Sequence, residues 1–244
     1  MTPILKSGTV YGVGLGPGAQ DLMSVRADRL IRGARHVAYF RKAGKPGQAR
    51  RIVEGMLRDD LTEFPMDYPV TTEIPLADPR YAASLAGFYE NVAAHLRALA
   101  ESGEDVVVLA EGDPFFYGSF MHLFTRLEPH VPVRVVPGIT GMAAAWTATG
   151  APITWGDDVL TVAPATLPEA ELSARIADTD ALVVMKIGQN LPKLKRAIEA
   201  AGRMGEAWLV EYAAMAEERV IKLAEVDTAP YFSIAMIHGQ GRRP

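Results

Sequence analysis

An α/β protein with largely parallel sheets is predicted by three observations. Short apolar runs alternate with amphipathic stretches along the whole chain. Runs such as Val106-Val107-Val108-Leu109-Ala110 are apolar at every residue, and several of them end in turns rich in Gly and Pro. A run without in–out alternation marks a strand covered on both faces, as parallel strands between helical layers are. Joining such strands in parallel needs long crossovers, and the helical stretches supply them. At 244 residues the chain supports a substantial core, in one large or two small domains.

Taken in order, residues 9–15 alternate and are rich in Val, Tyr and Leu, a first strand ended by Gly16-Pro17-Gly18. Residues 24–33 set Val25, Leu30 and Ile31 against arginines, an amphipathic helix with Asp21 or Ser24 as its cap. Residues 36–40 read as a second strand, 44–47 as a loop, 48–57 as a second helix and 62–64 as a short third strand. Prolines 65, 69, 75 and 79 predict an irregular loop over 65–79. Tyr81, Leu85, Phe88, Tyr89, Val92, Leu96 and Leu99 recur at helical spacing, one long helix ending before Gly103. The strand 105–110 then runs into Glu111-Gly112-Asp113-Pro114-Phe115-Phe116-Tyr117-Gly118-Ser119.

Beyond that nonapeptide, residues 119–127 are helical and 133–136 form a strand ended by Pro137-Gly138. Residues 139–148 are a small-residue helix closed by Gly150. A strand at 159–162 is followed by a helix at 168–177 with Pro168 near its first turn. Residues 181–185 are an all-apolar strand, and 191–200 a helix with Gly202 as its stop. Residues 207–211, 219–223 and 232–238 are the last strands. The order of strands and helices restarts near Asp113–Phe120, which predicts two domains, 1–115 and 116–244.

Composition narrows the class. With 49% hydrophobic and 22% charged residues this is an ordinary globular chain. The absence of cysteine removes disulfides, thiolate zinc sites and cysteine nucleophiles, and fits a reducing compartment. No apolar run reaches membrane-spanning length and the N-terminus carries no signal pattern, so a cytoplasmic protein without membrane contact is expected. His36, His95, His122, His130 and His238 form no i,i+4 pair, so no metal site is expected. A net charge of −4 argues against nucleic acid as a partner.

The charge is uneven. Between Leu22 and Val53 stand nine basic residues and a single acid, Asp28. The arginines from 26 to 35 suit a solvated helix face. Arg41, Lys42, Lys45, Arg50 and Arg51 follow a strand end and are better placed to meet an anionic ligand.

Three further motifs join the nonapeptide, whose strand end and aromatic wall suit a ligand pocket. Gly12-Val13-Gly14-Leu15-Gly16-Pro17-Gly18 formally offers Gly14-x-Gly16-x-x-Ala19, a dinucleotide fingerprint. Pro17 removes an amide from the turn that would cradle a pyrophosphate, and Arg41 and Lys42 stand where an acid would hold a ribose. Val135-Val136-Pro137-Gly138-Ile139-Thr140-Gly141-Met142 joins a strand end to a helix start, with Thr140 as a cap or a ligand contact. Met185-Lys186-Ile187-Gly188 closes another strand; a methionine at a strand end is more often core filler than a ligand contact, and a lysine just beyond it is usually solvated. Asp157-Asp158, after Gly156, reads as a solvated turn. There is no Gly-x-Ser-x-Gly elbow, P-loop lysine or His-Glu-x-x-His.

In this order, the four motifs resemble those of the tetrapyrrole methylase family, the class III S-adenosylmethionine-dependent methyltransferases. The resemblance implies two α/β/α domains with a cofactor cleft between them, and a homodimer. It implies S-adenosyl-L-methionine as cofactor, leaving as S-adenosyl-L-homocysteine, and a small-molecule tetrapyrrole as substrate. Pro17, Gly112, Asp113, Phe116, Tyr117, Thr140, Gly141 and Met185 match cofactor-contacting positions; Tyr212-Ala213 and Ala235-Met236 match later ones. The basic residues at 41, 42, 45, 50 and 51 become candidates for the substrate's carboxylates. Within the family, Glu111 to Ser119, Phe64-Pro65-Met66 and residues 156–162 look like the corrin-forming branch rather than the uroporphyrinogen methylases, which tend to have Gly-Gly-Asp-Pro. No general base is named, because methyl transfer to carbon asks for in-line approach more than for a strong base. A methylase of the same fold acting on ribosomal RNA or on a modified histidine, and a noncatalytic nucleotide-binding module, are the rival readings.

Overall fold

The computed structural model describes residues 7–70 and 78–241. The chain forms two compact units, the first through Thr140 and the second from Gly141.

The first unit holds β1 (Val10–Gly14), α1 (Val25–Gly33), β2 (His36–Lys42), α2 (Gln48–Ile52), β3 (Thr62–Tyr68), α3 (Pro79–Glu101), β4 (Val106–Ala110), α4 (Phe120–Leu127) and β5 (Val133–Val136). Its five strands are ordered β3-β2-β4-β1-β5 and every pair is parallel. β4 is central and buried at each residue. Its Val106 and Val108 face a core with Leu96, Phe120 and Leu123, while Val107 and Leu109 face one with Ala27, Ile31 and Ile52. That division between two helical layers is why the strand reads as an unbroken apolar run.

The second unit holds α5 (Gly141–Ala148), β6 (Leu160–Pro164), α6 (Glu169–Ala177), β7 (Ala181–Met185), α7 (Leu191–Ala200), β8 (Trp208–Glu211), β9 (Arg219–Lys222) and β10 (Ser233–Ile237). Its sheet order is β6-β7-β10-β8-β9. Apolar residues of α6 and α7 fill one side of this sheet and those of α5 the other.

The α/β class holds, with local departures. Only β6 and β7 pair in parallel in the second sheet; β7–β10, β10–β8 and β8–β9 are antiparallel. No α-helix separates β8, β9 and β10, and without a crossover, successive neighbouring strands reverse direction. The units part at Thr140/Gly141 rather than at the expected 115/116. Two long-range attachments hold residues 116–140 in the first unit: β5 pairs with β1, and α4 shares a core with α3.

β3 continues through Pro65 to Tyr68, where a loop was expected. It is an edge strand, and an edge tolerates a proline whose missing N–H has no ladder partner to lose. The rest of that expected loop, including Pro75, falls partly outside the described residues. α2 stops at Ile52, not 57. Ser24, of the two expected caps, accepts from the Ala27 amide at 3.1 Å. The Asp158 carboxylate is not simply solvated: Oδ2 accepts from the amides of Trp155 (2.8 Å) and Gly241 (3.3 Å).

Candidate active site

Three of the four sequence motifs end neighbouring strands β4, β1 and β5 of the first sheet, and backbone contacts stitch them together. Gly16 and Gly112 exchange hydrogen bonds, Gly112 N to Gly16 O at 2.8 Å and Gly16 N to Gly112 O at 3.3 Å. The Asp113 carboxylate then spans two loops: Oδ1 accepts from Phe115 N at 2.8 Å and Oδ2 from Gly138 N at 3.0 Å. Both oxygens are thus committed to backbone, so the structural role of Asp113 is to fix the two turns. The packing requires glycine at two points. A Cβ on Gly138 would lie 2.0 Å from the Gly112 carbonyl oxygen, and one on Gly14 would lie 2.6 Å from Gly138 N.

The aromatics behind this seam are divided in role. Phe115 and Tyr117 remain 45% and 40% exposed, which is unusual for large rings beside a buried strand. Tyr117 has φ 54°, a conformation costly for a non-glycine residue and concentrated at functional loops. Its ring meets Phe116 edge-on at 4.9 Å. Ser119 hydrogen-bonds the Tyr68 hydroxyl at 2.5 Å, anchoring the end of the nonapeptide to β3. Pro17 is buried and Thr140 half-buried.

Glu111 keeps one side toward solvent, yet enough protein surrounds it for desolvation to raise its carboxyl above the ordinary range. Its Oε1 accepts from the Ala49 amide at 2.9 Å, a bond that opposes the rise. No partner in the sequence flagged this residue, because Ala49 lies 62 positions away. Gln20 was missed for the same reason: its amide donates to the Ile52 and Glu54 carbonyls at 2.8 and 2.9 Å.

The basic segment is partly compensated. Arg50 grips Glu63 with two bonds of 2.9 and 3.0 Å, and the Arg41 Nε meets Asp67 at 2.6 Å. The hydrogen bond from Arg50 is the first cause holding the Glu63 carboxyl below its usual range. Burial, then Glu63, pushes the Tyr39 phenol up. Lys42, Lys45 and Arg51 are exposed.

The remaining predicted residues belong to the second unit. Met185 ends β7 and packs against the cluster that contains Ala213, Ile234 and Met236. Lys186, Tyr212 and Ala214 all have positive φ, between 51° and 58°. Strain thus recurs where β7 and β8 end. The Tyr212 amide donates to Phe232 O at 2.8 Å. Gly141 begins α5, and a Cβ there would meet the Ile234 side chain at an ordinary 3.4 Å. The side chains of Ala235 and Met236 are wholly buried in β10, leaving no side-chain surface for a ligand.

Chemically, the first unit's strand ends offer backbone groups, exposed rings and few charges. Such a donor set suits a nucleoside without phosphates better than a dinucleotide, since the buried Pro17 supplies no amide. Among the described residues no group of three or more His, Asp or Glu side chains is placed to hold a metal ion, and no helix is long and apolar enough to cross a membrane.

Residues 9–227 match the family of Tetrapyrrole (Corrin/Porphyrin) Methylases. A Precorrin-2 C(20)-methyltransferase of Sinorhizobium sp is 49% identical over 243 residues, covering 97% of this chain and 98% of that protein. A Cobalt-precorrin-2 C(20)-methyltransferase of Salmonella typhimurium is 28% identical, covering 96% and 98%. The fold also matches a solved Uroporphyrin-III C-methyl transferase from Thermus thermophilus complexed with S-adenyl homocysteine, with TM-score 0.68 and 23% identity over 95% of this chain and 97% of that one. On the family match and the near-full-length relative, the chain belongs to the tetrapyrrole methylase family.

Proposed function

We propose that the protein methylates precorrin-2 at C-20, with S-adenosyl-L-methionine as donor, to give precorrin-3A in corrin biosynthesis. The observation that carries this reading is the 49% identity to a precorrin-2 C(20)-methyltransferase across nearly both whole chains. The metal-free substrate is preferred to its cobalt form because the relative named for the cobalt form is only 28% identical.

The bound donor supplies an activated methyl group on its sulfonium. The chain's own residues position and exclude water. The seam of Gly14, Gly16, Gly112 and Gly138, locked by Asp113, presents the backbone of three loops at fixed spacing. Phe116 and Tyr117 wall the cofactor, Pro17 closes the first turn, and Thr140 and Gly141 continue the lining. Met185, Tyr212 and Ala213 are assigned to cofactor contact on the family resemblance alone. Lys42, Lys45 and Arg51 receive substrate carboxylates, with Arg41 and Arg50 held ready by their acidic partners. This assignment uses position and shape rather than a proton-transfer triad. The protein works as a homodimer, a reading supported by the resemblance and checked by light scattering on the purified chain, and its lack of cysteine fits the reducing cytoplasm.

The test of the activity is anaerobic incubation with precorrin-2 and methyl-labelled S-adenosylmethionine, followed by mass spectrometry and NMR of the product. One labelled methyl on C-20 is the expected result. Transfer to another carbon, or none, rejects the proposal.

A further inference from the structure

α2 is only five residues long, far below the roughly 12–15 at which an isolated helix becomes marginally stable. Its cap position, Gly47, has no side chain to satisfy the first amides, and no side-chain cap bond forms there. Instead it is held from both ends by side chains from distant loops. At the start, Glu111 Oε1 takes the Ala49 amide at 2.9 Å. At the end, Gln20 Nε2 donates to the carbonyls of Ile52 and Glu54 at 2.8 and 2.9 Å.

The origin of these two clamps is what matters. Glu111 opens the Gly112-Asp113-Pro114 turn, and Gln20 lies two residues past the Gly16-Pro17-Gly18 turn. Those two turns are themselves bonded to each other through Gly16 and Gly112. The helix they grip carries Arg50 and Arg51. Hydrogen bonds linked by short stretches of chain therefore connect the seam assigned to the cofactor with the basic helix assigned to substrate carboxylates.

We propose that Glu111 and Gln20 are positioning residues that couple occupation of the cofactor loops to the placement of Arg50 and Arg51 against the anionic substrate. The inference rests on the methyltransferase reading. A ligand that settles the two turns settles both clamps, and the clamps add to the hold that the buried Ala49 and Ile52 and the Arg50–Glu63 pair have on α2. Neither residue touches the reacting atoms.

Two measurements on the full-length protein test it. The first is hydrogen exchange at the α2 amides with and without S-adenosylhomocysteine, after calorimetry has established that the ligand binds. Exchange in the wild type is expected to slow when the ligand binds, and the effect to shrink in Glu111→Ala and Gln20→Ala. Binding with unchanged α2 exchange overturns the coupling, whereas absence of binding defeats the methyltransferase reading instead. The second is steady-state kinetics at saturating donor. Each alanine variant is expected to raise KM for precorrin-2 by about tenfold, the scale of losing a hydrogen bond to a charged or twofold-bonded group. Glu111→Gln, whose amide oxygen still accepts from Ala49, restores KM, while Gln20→Glu, which turns an acceptor toward two carbonyls, does not. Alanine variants with wild-type KM, or a Glu111→Gln variant that loses kcat while keeping KM, overturn the proposal; the latter marks Glu111 as a proton acceptor.

Discussion

Glu111 and Asp113 stand two residues apart on one turn, and their surroundings divide their work. Asp113 spends both oxygens on backbone amides, which fixes the turn. Glu111 accepts a single bond from beyond its own turn, from Ala49, and although part of the residue is open to solvent, desolvation by the surrounding protein raises its carboxyl. A carboxyl raised on folding favours the native state below its ordinary value, near 4.3, and loses that contribution as pH climbs through the folded value. Glu111→Gln removes the titration but keeps the acceptor. The variant is therefore expected to be more stable than the wild type at neutral pH, with the difference fading toward acid, as urea unfolding across pH measures. The motif containing both residues is legible in sequence, but their division of labour is not, because it depends on amides 25 and 62 positions away.

At the scale of elements, the ends of β1, β4 and β5 act as one body. The carbonyl of Gly112 sits where a Cβ on Gly138 would be, so the close approach is a packing constraint and not only a turn preference. Gly138→Ala is expected to cost about 1–3 kcal/mol, the usual range for overpacking a tight site. It is also expected to weaken S-adenosylmethionine binding at least tenfold, because the loops must separate. Calorimetry and denaturant unfolding check both, and an alanine variant with native affinity would remove the seam from the cofactor site. The glycines and prolines announce turns in the sequence; the adjacency of β4-β1-β5, which makes three turns into one surface, belongs to strand order. β3 illustrates the converse. Four prolines read as a loop, but an edge position let the strand run through Pro65.

Over the whole molecule, an acidic chain concentrates its positive charge in one segment, and the fold neutralises part of it. Arg41 and Arg50 are half-exposed and paired with Asp67 and Glu63, pairs worth on the order of 1 kcal/mol or less to stability. Lys45 and Arg51 are exposed with no ion pair recorded among the described residues. Changing both to alanine is expected to leave the melting temperature within about 2 °C, as surface substitutions do. The same change is expected to weaken precorrin-2 binding and flatten its salt dependence, since fewer screened contacts remain. Titration at several ionic strengths measures this, and an unaltered salt slope would move the carboxylate contacts elsewhere. What the sequence determined by itself was the α/β class, the family and the four strand-end motifs, since apolar runs, periodicity and Gly/Pro turns are local properties. Tertiary structure decided the antiparallel second sheet, the break between units at Thr140, the backbone role of Asp113 and the grip of Glu111 and Gln20 on α2. Each of those depends on which distant segments share a sheet edge or a hydrogen bond, and chain order alone does not specify that.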